Sequence, residues 1–161
     1  MVLKRMKRRH LRQDVVDFCK KVRDLRPDVT FGADIIAGFP TETDEMAENT
    51  LRLVDECGLI YLHVFPYSSR PGTPAAKMPQ VPKDLRKERA SALREAGEVQ
   101  LNKFLQSRIG MIENVLVEKE NTGHTEHFAP VLLDRVIEAG TIAKAKVTGL
   151  ENGKLIAELA E

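Results

Sequence analysis

The stretch GADIIAGFPTET, residues 32–43, decides how this chain is read. Its first part is nearly continuous in apolar residues, with Ala33, Ile35, Ile36 and Ala37, as expected for a parallel strand covered on both faces. Gly38, Phe39 and Pro40 break the run. Glycine lets the backbone approach a neighbour closely, and proline stiffens the turn. Thr41 followed by Asp44 resembles a capping box, and Thr43 is the alternative cap. The stretch therefore reads as strand, turn and helix start.

Before it, residues 13–25 place Val15, Phe18, Cys19, Val22 and Leu25 on one helical face. Asp14 and Asp17 come early in this helix and Lys20, Lys21 and Arg23 late, which suits the helix dipole. Pro27 stops it, and a strand over 29–37 follows. After the turn, Met46, Thr50, Leu51, Val54 and Cys57 mark the inner face of a second helix, with Gly58 at its C-terminal cap. LIYLHVFPY, residues 59–67, is the next strand, with His63 a structural residue inside it. Strand, helix and strand joined by short turns form a βαβ unit, so the strands run parallel with a right-handed crossover. Ligands collect at the carboxyl ends of such strands. Two segments occupy that edge, residues 38–43 and SSRPGTPA, residues 68–75.

Pro74, Pro79 and Pro82 mark a linker, and a long helix is expected over 84–106. Leu85, Ala92, Leu93, Ala96, Val99 and Phe104 form its apolar stripe. Beyond Gly110 the pattern changes to period two, with candidate strands at 112–118, 125–132, 141–148 and 154–159. Asn152-Gly153 is a strong hairpin signal between the last two. Several short strands within so short a segment suggest a small β-barrel. Two parallel strands, in contrast, cannot close a barrel and leave bare sheet edges. The expected fold is α/β followed by all-β.

The chain has 161 residues, 42% hydrophobic and 30% charged, enough for one domain and part of another. No apolar run approaches the roughly 20 residues of a membrane span, and no apolar stretch follows the basic N-terminus, so a cytoplasmic protein without membrane contact is expected. Cys19 and Cys57 fall on apolar helix faces, without a second cysteine or a histidine at metal-ligand spacing, and read as buried thiols. His10, His124 and His127 are scattered; neither a Ser/His/Asp arrangement nor a P-loop is present. Residues 1–12 hold six basic residues and no acid, whereas residues 108–161 hold six basic and nine acidic residues, a net of −3. A polyanion is drawn to the first segment.

Three places offer binding chemistry. Amides at the start of the second helix point towards the strand ends and suit an anion or a polar edge; the plain alternative is a capped turn without ligand. Arg70 is a fork donor for carboxylate or phosphate, on a loop stiffened by Pro71-Gly72 and Thr73-Pro74, and Tyr67 offers a ring to a base. The basic N-terminus, with Val2, Leu3, Met6 and Leu11 interleaved, reads as a phosphate-binding segment that is partly packed; the plain alternative is a solvated end.

Read together, LKRMKRRH (residues 3–10), DIIAGFPTET (34–43), YSSRPGTPA (67–75) and VPKDLRKERASALR (81–94) resemble the radical-SAM tRNA methylthiotransferases. VLVEKENTGHTEHFAPV (115–131) resembles the core of TRAM, the RNA-binding β-barrel of that family. The branch it is most similar to methylthiolates threonylcarbamoyl-adenosine next to the anticodon. The resemblance implies the later half of a radical-SAM (β/α) barrel over residues 1–82, a linking helix over 83–107 and a TRAM-like barrel over 108–161. It implies S-adenosylmethionine and iron–sulfur clusters as cofactors of the whole enzyme, and tRNA and the missing N-terminal half as partners. On this template Gly38, Phe39 and Pro40 sit beside the adenine of S-adenosylmethionine. Lys4, Met6, Arg8, Tyr67, Arg70 and Thr73, with His124 and Glu126 of the TRAM-like part, face the RNA substrate. His124 stands where the family often has arginine. No CxxxCxxC motif is present, so this chain alone ligates no cluster and carries no catalytic or metal residue of its own. Two other readings stand beside this one: a stand-alone RNA-binding module without catalysis, and a small α/β enzyme holding a phosphate at the Gly38 turn.

Overall fold

A computed structural model describes residues 2–160. The chain divides into two compact units, residues 1–101 and 102–161, with the boundary inside one helix.

In the first unit a short helix α1 (Val2–Arg5) precedes α2 (Arg12–Leu25), β1 (Phe31–Ala37), α3 (Asp44–Glu56) and β2 (Leu59–Pro66). A 3-10 turn at Pro74–Lys77 leads to α4 (Lys83–Ser107). The expected βαβ unit is present: β1 and β2 pair in parallel, with Asp34 opposite His63 and Ile36 opposite Phe65. Thr43, not Thr41, caps α3, its hydroxyl accepting from Met46 N at 3.3 Å. Gly58 takes φ +56 behind the helix end, the left-handed conformation a C-terminal cap requires.

The expectation that β1 is covered on both faces is corrected. Burial alternates along it: Phe31, Ala33 and Ile35 are half-buried, whereas Gly32, Asp34 and Ile36 are exposed. The apolar core lies on one side only, where Ala37, Val54, Cys57, Leu59, Val64, Ala90 and Leu93 pack together with Cys19. On the other side Ile36 and Phe65 stay 39% and 54% exposed. His63 is exposed on that bare face rather than buried as a structural residue. Gly97 of α4 lies so close to β2 that a Cβ there would stand 2.9 Å from Leu62 Cδ1.

The second unit is a closed barrel of β3 (Ile112–Lys119), β4 (Thr122–Thr125), β5 (Pro130–Leu133), β6 (Ile142–Glu151) and β7 (Lys154–Leu159). The order around it is β3-β4-β5-β7-β6, so the last strand slots between β5 and β6. All pairs are antiparallel except β5 with β7. Val115, Val117, Val131, Leu133, Ala145, Val147, Leu155 and Ala157 fill the interior. Asn152 and Gly153 both take positive φ, 49° and 74°, as a two-residue hairpin with twisted strands needs. The single strand expected over 125–132 is two, β4 and β5, separated by a tight turn at Thr125 to Ala129.

Candidate functional site

The carboxyl ends of β1 and β2 bring together the Gly38 turn and the segment after Pro66. Tyr67 N donates to Ala37 O at 2.8 Å and carries the strand pairing one residue further. The Tyr67 ring meets Phe39 edge-on, with centroids 5.4 Å apart. Ala37, Gly38, Phe39 and Pro40 are all buried.

Arg86 and Arg89 of α4 explain this burial. Arg86 Nη1 donates to Tyr67 O at 2.7 Å, and its guanidinium lies 5.9 Å from the centre of the tyrosine ring. A Cβ at Gly38 would fall 2.3 Å from Arg86 Cγ, and Gly38 itself takes φ +70. Both the close approach and the backbone conformation therefore demand glycine. Arg89 Nη1 meets Glu42 Oε1 at 2.9 Å and Glu42 O at 3.1 Å, with side-chain exposures of only 9% and 7%. Arg89 also pairs with the exposed Asp44. The same Glu42 carboxylate accepts from Gly38 N at 3.0 Å.

The turn's amides are thus largely engaged within the protein. Gly38 N serves Glu42, Glu42 N serves Phe39 O at 2.9 Å, and Thr41 N serves Pro79 O at 3.1 Å. A phosphate at this turn would have to displace a buried carboxylate, which removes the support for a phosphate enzyme. One buried polar atom points instead to a different ligand: among the described residues the Tyr67 hydroxyl has no hydrogen-bond partner. Burying a hydroxyl without a partner is costly. A polar edge of a ligand beside Phe39 and Tyr67 fits that atom.

The other expected residues fall into separate places. Arg70 and Lys4 are exposed, and Thr73 caps the 3-10 turn with its hydroxyl accepting from Ala76 N at 3.3 Å. Met6 and Arg8 line a groove of about 870 Å³ that runs along β1 and is also lined by Val2, Leu3, Asp34 and Phe65. The basic segment is tied down at two points. Arg5 hydrogen-bonds the Thr41 hydroxyl, and Arg12 Nη2 meets Glu56 Oε1 at 2.7 Å. That pairing holds the Glu56 carboxyl below its ordinary range and raises Arg12 further. His124 and Glu126 belong to the second unit; His124 Nδ1 is 3.1 Å from Glu118 Oε2, and Glu126 is exposed.

Cys19 and Cys57 do not offer the thiolates that an iron–sulfur cluster takes as ligands. Such clusters need a set of thiolates. Both cysteines are buried, and the Cys57 thiol is pushed up to about 11, first by burial and then by its hydrogen bond with Cys19. Among the described residues no group of three or more His, Cys, Asp or Glu side chains stands together to hold a metal.

No protein-family model matches the chain. Individual relatives do. It is 59% identical over 153 residues to the threonylcarbamoyladenosine tRNA methylthiotransferase of Rickettsia prowazekii, which covers 95% of this chain and 36% of that protein. It is 34% identical over 166 residues to a tRNA-2-methylthio-N(6)-dimethylallyladenosine synthase of Bartonella bacilliformis, covering 99% of this chain and 36% of the relative. The chain belongs to the tRNA methylthiotransferase family. It spans about a third of the length of the curated relatives it matches.

Within this chain, Gly38, Phe39 and Pro40, expected beside the adenine, cluster with Tyr67, which was expected to face the RNA substrate. Glu42, Arg86 and Arg89, which build that cluster, were missed. Arg86 and Arg89 lie three apart on a helix and so share a face, but only the long-range fold shows what they meet.

Proposed function

We propose that this chain supplies the later part of a radical-SAM (β/α) barrel and a TRAM-like RNA-binding barrel to a methylthiotransferase acting on threonylcarbamoyl-adenosine next to the anticodon of tRNA. The ligands of the iron–sulfur clusters belong, in this reading, to the portion of the relatives that the chain does not span. The single observation that carries it is the 59% identity to the threonylcarbamoyladenosine enzyme over nearly the whole chain. The bare face of β1 and β2 supports it, since a strand pair cut from a barrel exposes the side that lines the interior. The boundaries 1–82, 83–107 and 108–161 follow from the same reading.

Gly38, Phe39, Pro40 and Tyr67 would hold the nucleoside end of S-adenosylmethionine, the buried tyrosine hydroxyl answering a polar atom of it. When bound beside a cluster, that cofactor supplies both the radical and the methyl group. The chain's own residues position and enclose it. Phe39 and Pro40 exclude water, Arg86 braces the tyrosine from behind, and the Glu42–Arg89 pair fixes the turn. Lys4, Met6, Arg8, Arg70 and Thr73 would face the tRNA, together with His124 and Glu126 of the barrel. The Met6 and Arg8 groove lies along β1, one of the two free edges of the sheet, where the missing half of the barrel would add its next strand.

The test is anaerobic reconstitution with iron and sulfide, with the chain alone and co-expressed with the remainder of the Rickettsia relative. The chain alone is expected to form no cluster chromophore and release no 5′-deoxyadenosine; the combination does both and modifies tRNA. Cleavage of S-adenosylmethionine by the chain alone would overturn the assignment of the cluster ligands. A combination that stays inactive while the chain alone binds RNA would favour a stand-alone RNA-binding module, the reading to which the self-contained barrel lends itself.

A further inference from the structure

We propose that the outer face of the second unit's barrel carries a stacking platform for one unpaired nucleobase, built on Phe128, with the adjoining phosphates held by Lys144 and Lys146. This rests on the RNA-directed reading above and names a contact within it. The starting observation is the setting of Phe128. Its ring is 72% exposed, and its backbone takes φ +64, a region that bulky residues avoid. The turn holds it there firmly. Phe128 N donates to Thr125 O at 2.9 Å, and the Thr125 hydroxyl accepts from His127 N and Ala129 N, both at 3.2 Å. The fold thus sustains a strained residue whose ring adds nothing to the core. An aromatic side chain kept in water at that cost marks a contact surface.

The ring stacks on His124, with centroids 5.0 Å apart and planes 27° from parallel, so its opposite face is open. Strand register extends the surface. His124 lies opposite Leu116, and Leu116 opposite Ile142, which are 46% and 70% exposed. A flat apolar strip ending in an open aromatic face accepts a base of any sequence by stacking.

Charge selects the ligand. Along β6 the next two exposed residues after Ile142 are Lys144 and Lys146, opposite Asn114 and Ile112. Neither lysine forms an ion pair among the described residues; Glu158 of β7 lies opposite Lys146, which leaves Lys144 the less opposed of the two. On the other side lie Glu118, its carboxylate 3.1 Å from His124 Nδ1, and Glu126, two residues before the ring, which directs a phosphate chain towards the lysines. Residues 108–161 are net −3, so general attraction of polyanions is not the source of binding. Stacking does not depend on net charge.

The experiment is fluorescence titration of the full chain with two RNAs: a hairpin carrying 2-aminopurine in its unpaired loop, and a fully paired duplex. Phe128→Gly deletes the ring and suits the positive φ, so it keeps or raises the melting temperature. It is expected to weaken hairpin binding by about five- to a hundredfold, to leave duplex binding unchanged and to abolish 2-aminopurine quenching. Phe128→Trp retains all three signals. Lys144→Gln with Lys146→Gln lowers the slope of affinity against salt by about 2 and leaves quenching at saturation intact. Hairpin affinity of Phe128→Gly within about twofold of wild type overturns the platform and leaves the RNA reading standing. Failure of the wild-type chain to bind hairpin at low salt overturns both. Self-association lost in Phe128→Gly, with RNA affinity unchanged, overturns the proposal in favour of a protein contact.

Discussion

The two units solve the edge problem of β-structure in opposite ways. The second closes five strands on themselves, so every strand has two neighbours and one continuous interior. The first has two parallel strands, each with one neighbour, and α2, α3 and α4 packed on one side. The difference teaches where each unit's stability resides. A closed barrel depends on strand contacts that must all fit at once. The open unit depends on the helices that clamp its single covered face, and on ion pairs such as Arg89 with Glu42.

The units can be followed separately, because both tyrosines and both cysteines lie in the first. Tyrosine emission and thiol alkylation therefore report it alone. The largest effect is expected at Gly123 in the barrel. A Cβ there would stand 2.1 Å from Leu116 O, a backbone atom that no rotamer change can move. Gly123→Ala should separate β3 from β4 and cost above roughly 4 kcal/mol, in the exceptional range for one substitution. Far-UV circular dichroism should lose the barrel transition while the tyrosine transition persists. A single shared transition would refute the independence of the units.

Arg89→Ala tests the clamp in the first unit. It leaves Glu42 buried without its cation, and about 3 kcal/mol is expected, the low end for opening a buried pair because Asp44 is exposed. Urea unfolding followed by tyrosine emission measures this, and an unchanged midpoint would remove the clamp from the account.

Acid should act on both units through one exposed carboxylate in each. Glu56 is lowered chiefly by its hydrogen bond from Arg12, and Asp134 chiefly by its hydrogen bond from Arg135. A depressed folded value means stability is fully present above the ordinary carboxylate range and is lost as pH falls through the folded value. Melting temperature measured down a pH series should therefore drop at the acid end. Glu56→Gln should flatten only the tyrosine-reported curve. Its failure to do so would dissociate the Arg12 contact from stability.

The smallest effect is expected on the bare face. Ile36→Ser with Phe65→Ser should change stability by less than about 0.5 kcal/mol per site, because neither side chain joins the core. A large loss by the same urea measurement would mean that the face is covered in solution.

Much of this contrast was legible in the residues. The apolar run ending at Gly38, the helical spacing of Met46 to Val54 and the left-handed Gly58 dictate the βαβ unit, since each signal is local. The Asn152-Gly153 turn is local as well. The bare face was not legible, because adjacent Ile35 and Ile36 look alike in sequence and only the packing decides which is covered. The turn between β4 and β5 escaped for another reason. It places a phenylalanine at positive φ, against its preference, and depends on the Thr125 hydroxyl to hold it. In the candidate site, Gly38 announced itself, whereas Arg89 meets Glu42 across 47 residues of sequence and no local pattern reveals such a pair.

The insertion of β7 between β5 and β6 has a consequence for synthesis on the ribosome. A nascent chain that has emerged from the ribosome only as far as Leu133 holds β3, β4 and β5, with open edges on both sides. Closure waits for Leu159, and at typical elongation rates that interval is on the order of a few seconds. During it the emerging strands are exposed to mispairing with neighbouring nascent chains on the same message. A delay while residues 134–153 emerge from the ribosome should raise insoluble product more than the same delay after Leu159 has emerged.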